Sequence, residues 1–334
     1  MAIVGSMSAR TRTYLLVALA ALAAAGLAIG TVAFTRTSTG GKAATETTGA
    51  ARGRPPPLSL DLGLRTDREA QALRRANRLY AAGKRRQAAG IFARYDSLPA
   101  QIGAALAAWP RGSLERLERL ALEHPRSGVV LLHLGLARIA LGRSGAAEAA
   151  WRQALARDPD TESAVQAESL LVPAMAPGRP PFIPSFAPPR QLERLAAPQQ
   201  LRALARAARS GDVRARLLYG AALQRLGLPV SAEREFAAAA ARAPSDPEAL
   251  TAAAVGRFTK ADPAAAFSRL GPLARRFPRS QTVRFHLGEL LLWLREVEKA
   301  KEELRLARSA GPRTTLGRTA NAFLVQLSRL GPTG

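Results

Sequence analysis

The stretch VLLHLGLARIALGRSGAAEAAWRQALARDP, residues 130–159, decides the fold although it holds almost no group capable of chemistry. Its small residues stand at fixed places and a proline closes it: Gly135, Gly142, Ala147, Ala154 and Pro159. Close packing explains such spacing better than catalysis does, because small side chains allow two chain segments to approach each other. The stretch therefore indicates a packed repeat rather than an active site.

The spacing resembles the tetratricopeptide repeat (TPR), a pair of helices that recurs about every 34 residues. With Gly135 at position 8, Gly142 falls at position 15, Ala147 at 20, Trp151 at 24 and Pro159 at 32. The resemblance implies two antiparallel helices that meet at Gly135 and Ala147, with Trp151 filling the space beside them. Pro159 would end the second helix, which proline cannot continue.

The same positions recur further along the chain. The repeats that start at residues 213 and 281 carry the signature residues Gly220, Ala232, Phe236, Gly288 and Ala300. Weaker repeats occupy residues 68–97, 99–125 and 247–279. The resemblance thus covers residues 67–314, about six to seven repeats, and implies an all-α, right-handed α-solenoid. Residues 315–334 would form a capping helix and tail, since a repeat array has to shield its last open face.

The first part of the chain has a different character. Residues 1–12 form a short basic tail, and residues 13–34 predict a single transmembrane anchor, because about 20 apolar residues cross a bilayer. A cleaved signal peptide is the alternative. We expect the TPR domain outside the cytoplasm and the protein in the cell membrane, with a cytoplasmic domain as the other orientation. Gly26 and Gly30 form a GxxxG pair that only weakly indicates homodimers.

Residues 35–66 are rich in Thr, Gly, Ala and Pro and have no helical or strand period. Such a composition is typical of a flexible, disordered linker, stiffened where prolines cluster. We therefore expect this stretch to separate the anchor from the repeats.

The chain is strongly basic, with 49 Lys and Arg against 25 Asp and Glu and a net charge of +24. An arginine-rich domain that binds nucleic acid or an anionic membrane or cell-envelope polymer is therefore the alternative function. The arginines are, however, scattered over many predicted helix faces and interleaved with glutamate, as in RLERLAL, which is typical of solvated helix surfaces. This pattern disfavours nucleic acid as the partner.

Few residues suggest catalysis or metal binding. The chain has no cysteine and three histidines, His124, His133 and His286, of which only His286 has a carboxylate at helical spacing, Glu289. No Ser/His/Asp arrangement, HExxH or phosphate-binding glycine loop is present. We therefore expect neither an enzyme nor a cofactor or metal site.

What remains is binding of a protein or peptide. The TPR resemblance implies that the first helix of each repeat lines a concave groove, and here those positions are unusually apolar. The groove candidates are Leu132, His133, Leu136, Ile139, Leu217, Arg225, Phe258, Phe285, His286, Glu289 and Trp293. The alternative is that these residues form the core between repeats. The predicted function is a membrane-anchored scaffold, in envelope assembly or protein maturation.

One stretch interrupts the repeats. Residues 172–190, VPAMAPGRPPFIPSFAPPR, contain seven prolines together with Phe182, Ile183 and Phe186. Proline limits the chain to extended forms, so this segment has little conformational freedom to lose on binding. We expect it to fold back onto the array as a built-in occupant or as part of the partner site. A disordered loop and a contact between subunits are the alternatives.

Overall fold

A computed structural model describes residues 54–329 of the chain, which divide into two compact units, residues 54–171 and residues 172–329. The predicted tail, transmembrane anchor and most of the predicted linker lie outside the described residues. Within them, no helix is both long and apolar enough to cross a membrane. Every regular element between residues 54 and 329 is a helix, so the described chain is an all-α, TPR-like helical repeat.

The N-terminal unit contains seven helices among its described residues. They are α1 (Arg68–Ala81), α2 (Arg85–Phe92), α3 (Leu98–Ala107), α4 (Ser113–Glu123), α5 (Gly128–Ala140), α6 (Ser144–Arg157) and α7 (Glu162–Leu171). Neighbours along the chain pack against each other, so that α1, α3, α5 and α7 are the first helices of successive repeats. Helices α5 and α7 begin one full repeat apart, at Gly128 and Glu162, as the resemblance predicts.

The C-terminal unit holds nine helices within residues 172–329. They are the single turn α8 (Arg190–Glu193), α9 (Ala197–Arg209), α10 (Val213–Arg225), α11 (Pro229–Arg242), α12 (Pro247–Gly256), α13 (Ala264–Arg276), α14 (Gln281–Trp293), α15 (Val297–Ala310) and α16 (Thr315–Ser328). The first helices α10, α12 and α14, and then α16, each begin one full repeat after the one before. The last helix packs on α15 and buries Leu316 and Phe323, so it covers the end of the array.

Local sequence explains where the helices begin and end. The side chains of Asp67, Asp212 and Asp246 accept backbone N–H bonds at the starts of α1, α10 and α12, where the first turn leaves donors without helical partners. After α1, α5 and α10 the chain turns through Gly83, Gly142 and Gly227, whose φ angles of 77°, 78° and 75° are in the left-handed region. Glycine at position 15 thus turns the first helix into the second.

The small signature residues lie where helices touch. Ala147, Ala232 and Ala300 are fully buried. A Cβ atom at Gly135 would lie 2.2 Å from Trp151 Nε1, and one at Gly220 would lie 2.5 Å from Phe236 Cε1. At Gly135 and Gly220 the nearest neighbour is thus the large residue at position 24 of the second helix. At Gly288 a Cβ atom would meet both Leu304 at position 24, at 2.9 Å, and the carbonyl oxygen of Ala300 at position 20, at 3.2 Å.

Candidate functional site

The proline-rich segment of the C-terminal unit lies extended across the first helices α10, α12 and α14. We call residues 172–190 the C-terminal strap, and the helix face beneath it the C-terminal groove. The backbone N–H of Phe182 donates to Gln224 Oε1 at 2.9 Å, and that of Ile183 donates to His286 Nε2 at 2.9 Å. Each of the three helices supplies a side chain to the strap, because Ser185 bonds to a glutamate of α12.

That glutamate, Glu248, receives two hydrogen bonds from one strap residue. Ser185 donates its backbone N–H to Oε1 at 2.6 Å and its hydroxyl to Oε2 at 2.7 Å. Burial raises the pKa of Glu248, and the two bonds from Ser185 act in the opposite direction by stabilising the carboxylate. The two bonds to Glu248 hold the strap at Ser185, whose side chain is short and polar.

Apolar side chains of the strap complete the core beneath it. Phe182 is only 2 % exposed, its ring centroid is 5.3 Å from that of Phe236, and it stacks on the His286 ring at 5.0 Å. Ile183 is buried in the cluster that contains Phe258. The strap is therefore part of the hydrophobic core and leaves no free apolar groove at these positions.

Phe186 lies nearer the edge. It is half-buried, and the guanidinium of Arg214 on α10 lies 5.3 Å from its ring centroid. Such a cation–π contact at an exposed site contributes roughly 0.5–1 kcal/mol. Of the three apolar strap residues that the sequence identified, Phe182 and Ile183 are anchors and Phe186 is peripheral.

Two cations of the array hold the first part of the strap. The Lys260 ammonium donates to the carbonyl of Ala176 and lies 5.8 Å from the Trp293 ring centroid, while Arg295 Nη2 donates to the carbonyl of Ala174 at 2.6 Å. Arg295 stands at position 15, where other repeats have glycine, and its φ angle is 65°. A left-handed conformation is costly for a residue with a side chain. The arginine nevertheless stands at this position, and its guanidinium reaches the strap.

His286 can accept a backbone N–H because its other ring nitrogen is already used. Nδ1 lies 2.7 Å from the carbonyl oxygen of Thr282, which can only accept, so Nδ1 carries the proton and Nε2 is free to accept from Ile183. Burial lowers the pKa of His286 to about 4, so the imidazole is neutral at pH 7. His286, a groove candidate from the sequence, therefore holds the strap as a neutral hydrogen-bond acceptor.

The N-terminal unit contains a second extended segment of the same kind. Residues 54–62, RPPPLSLDL, which we call the N-terminal strap, pack on α1, α5 and α7. Tyr80 donates its hydroxyl to the carbonyl of Pro56 at 2.6 Å, and Gln166 Nε2 donates to Ser59 Oγ at 2.9 Å. Leu62 is buried in the core of this unit. The sequence predicts a flexible linker up to residue 66, whereas residues 54–62 pack against the repeats.

His133 repeats the arrangement seen at His286. The backbone N–H of Ser59 donates to His133 Nε2 at 3.1 Å, and Nδ1 lies 2.7 Å from the carbonyl oxygen of Val129. Burial lowers the pKa of His133 to about 4, which keeps the ring neutral. Both histidines stand at position 6 of their repeats. We call the face of α1, α5 and α7 beneath this strap the N-terminal groove.

The groove candidates from the sequence are therefore covered rather than open. Leu132 and Leu136 pack with Trp151 in a core cluster, while Ile139 is partly buried beside it. In the C-terminal unit Leu217 packs beside Phe182, and the candidates Phe258, Phe285 and Trp293 share a cluster with Ile183. Arg225 is half-buried and desolvation lowers the pKa of its guanidinium. Among residues 54–329, no three His, Asp or Glu side chains are grouped in a way that could hold a metal ion.

Glu289 is a buried carboxyl of the first helix α14 with one oxygen unpaired among residues 54–329. It is 3 % exposed, its Oε2 atom has no hydrogen-bond partner among the described residues, and burial raises its pKa to about 8. The folded chain thus keeps a proton that the unfolded chain releases near pH 4.5. Stability from this group is present at acid pH and is lost as the pH rises from about 4.5 to about 8.

We therefore expect Glu289→Gln, which cannot ionise, to stabilise the protein more at pH 8.5 than at pH 5. The difference should be about 4 kcal/mol, since the rise of the pKa from 4.5 to about 8 changes the linkage by nearly three pKa units between these pH values and one unit corresponds to about 1.4 kcal/mol. Urea unfolding at both pH values measures it, with the exposed Glu298→Gln as the control. An equal effect of Glu289→Gln at the two pH values would contradict the assignment of a neutral, buried carboxyl.

No family model matches the chain, and no curated protein matches it. Solved structures that it resembles include a tetratricopeptide repeat protein from Parabacteroides merdae, at 15 % identity and a TM-score of 0.33, with 78 % of this chain and 98 % of that chain covered. Another is the TPR2AB domain of yeast Sti1 in a pHSP90 complex, at 13 % identity and a TM-score of 0.28, with the same coverage of 78 % and 98 %. At these values no partner or activity can be transferred from either protein.

Proposed function

We propose that the protein is a scaffold that binds an extended segment of a partner protein on the first-helix faces of its repeats. The single observation that supports this proposal most is that each unit already holds an extended segment there, the two straps. Gln224, Glu248 and His286 accept hydrogen bonds from backbone N–H groups of the strap. Every residue of a peptide except proline carries such a group. A surface that holds one such segment is chemically suited to another.

The arginines give less support to nucleic-acid binding. Arg216 pairs with Glu235 at 3.0 Å, and Arg284 pairs with Glu303 at 2.9 Å, at the same two positions of the repeats that start at residues 213 and 281. These arginines link the first and second helix of one repeat. We therefore assign them to the array itself and propose a protein partner.

A photocrosslinking experiment tests the scaffold. Arg214 is exposed on the first helix α10 beside the strap, whereas Arg234 is exposed on the second helix α11. A benzophenone amino acid in place of Arg214, in the full chain in its own cells, is expected to trap a partner protein that the same amino acid in place of Arg234 does not trap. Equal capture from both positions, or capture of nucleic acid alone, would contradict the proposal that the first-helix face binds a partner protein.

We also propose that residues 13–34 anchor the protein in the cell membrane, with the repeats outside the cytoplasm. Because the chain has no cysteine, a single one introduced by Ser38→Cys or Gly334→Cys reports its own side of the membrane. An impermeant maleimide is expected to label both in intact cells. Protection of both until lysis would place the repeats in the cytoplasm, and release of Ser38→Cys chains as soluble protein would indicate cleavage.

A further inference from the structure

The two straps share a sequence pattern. Each contains Arg-Pro-Pro, followed by one residue and then a branched aliphatic residue: RPPPL at residues 54–58 and RPPFI at residues 179–183. A serine follows directly in the first strap, as Ser59, and after one proline in the second, as Ser185. The pattern therefore occurs twice in the chain, once for each unit.

The straps also share their contacts. In each, a backbone N–H donates to Nε2 of the histidine at position 6, and Nδ1 of that histidine is fixed by the carbonyl four residues earlier. The serine hydroxyl of each strap bonds to a polar side chain of another first helix, Gln166 in one unit and Glu248 in the other. The donating residue lies five positions after the arginine in the first strap, at Ser59, and four positions after it in the second, at Ile183. Two segments with different side chains and a register offset by one residue thus make the same kind of backbone bond to a groove histidine.

Displacement of the C-terminal strap would not require a helix or strand within residues 176–189 to unfold. Residues 176–189 contain neither helix nor strand, and Ser185, Ala187 and Pro189 are exposed at one end. Departure uncovers the positions of Phe182 and Ile183, which are 2 % and 6 % exposed when the strap is bound. Exposure of that apolar surface is unfavourable, so the vacated groove favours a replacement of the same shape and polarity. Prolines lower the entropy that such a replacement loses on binding.

We propose that the grooves are receptors for proline-rich partner segments of the pattern Arg-Pro-Pro, any residue, Leu or Ile, and that the straps are built-in copies of this ligand which the partner segment displaces. The occupant is a segment of another protein, held by the histidine Nε2 through its backbone N–H and by apolar side chains beside it. This inference rests on the proposed function, to which it adds the chemistry of the partner.

A peptide of residues 177–190, labelled with a fluorophore, tests the inference on the full chain. The strap is weakened by Phe182→Ser together with Ile183→Ser, which removes its two buried anchors. The peptide is expected to bind this variant at least about tenfold more tightly than it binds the wild-type chain, whose strap competes. A control peptide, identical except that a methyl group replaces the hydrogen of the Ile183 N–H that His286 accepts, is expected to bind about tenfold more weakly. Absence of binding, or equal binding of the two peptides, would overturn the proposal.

If the variant with Phe182→Ser and Ile183→Ser does not fold, a second form of the protein can be used for the same test. Protease sites inserted after Pro177 and after Pro189 allow the strap of the folded wild-type chain to be cut in place. The cut strap is expected to exchange with the labelled peptide, and the N-methylated peptide is expected to compete about tenfold less well. A cut strap that neither leaves nor exchanges would show that it is a permanent part of the core. Capture of a partner at Arg214 with no peptide exchange would overturn this inference alone, whereas the scaffold would stand.

Discussion

Replacement of Phe182 by alanine is expected to lower the free energy of unfolding by about 3–5 kcal/mol, the usual cost of truncating a buried aromatic residue. The ring is 2 % exposed and contacts both Phe236 and His286, so its removal leaves a cavity in the core of the C-terminal unit. A surface loop would show no such effect. The measurement is urea unfolding of the full chain, followed by far-ultraviolet circular dichroism.

Phe186→Ala is the matched control, because it removes the same side chain four residues along the same strap. Phe186 is half-buried at the edge of the core, beside the Arg214 guanidinium, so we expect a loss of about 1 kcal/mol or less. Comparable losses for the two variants would mean that the strap has no fixed register on the groove. Losses under about 1 kcal/mol for both would mean that it is not part of the core.

Trp151→Ala in the N-terminal unit is expected to have an effect of similar size, about 3–5 kcal/mol. The indole is 5 % exposed, donates from Nε1 to the carbonyl of Leu132 at 3.2 Å, and lies directly against Gly135. Gly135→Ala is expected to cost about 1–3 kcal/mol, since its new methyl group would overlap the ring and force it to move.

The double variant Gly135→Ala with Trp151→Ala separates packing from other effects. Without the indole, the added methyl group has room, so the double variant is expected to be no less stable than Trp151→Ala alone. This non-additivity is the mark of two residues in direct contact. If the two losses simply add, position 8 does not face position 24 and the assigned repeat register is wrong.

The sequence predicted the helix pairs well because the determinants of a helix pair lie within one repeat. Gly135, Trp151 and Pro159 are close enough along the chain to be recognised as one pattern. The same 34-residue register also predicted where α10, α12 and α14 begin. In repeats of this kind, small residues stand where the helices make close contact and a proline follows the second helix. Such local signals do not depend on knowledge of distant contacts.

The sequence predicts that residues 172–190 fold back onto the array, but the contacts of both straps and the place of the N-terminal strap were harder to predict, since their partners are remote in the chain. Ser59 bonds to His133 at a separation of 74 residues, and Ile183 bonds to His286 at a separation of 103 residues. Proline-rich composition is typical of linkers as well as of bound extended segments, so residues 54–66 were assigned to the linker. The signal that distinguishes them is the shared Arg-Pro-Pro pattern combined with histidine at position 6 in both units.

Arg295 shows a second kind of missed signal. At position 15, Gly83, Gly142 and Gly227 allow the left-handed turn, and the corresponding arginine looks like a departure from the repeat. The contact of its guanidinium with the strap carbonyl of Ala174 gives the departure a structural role. A residue that breaks a rule of local geometry is thus a useful marker of a long-range contact.

Amide hydrogen exchange of the straps tests the central claim most directly, because the claim concerns backbone N–H groups held by first-helix side chains. At pH 7 the amides of Ser59, Phe182 and Ile183 are expected to exchange at least about 100-fold more slowly than in the free peptides, as buried and bonded amides do. Replacement of His286 by alanine should abolish the protection of Ile183 and leave that of Ser59 unchanged. Exchange of all three amides at free-peptide rates in the wild-type chain would contradict the account.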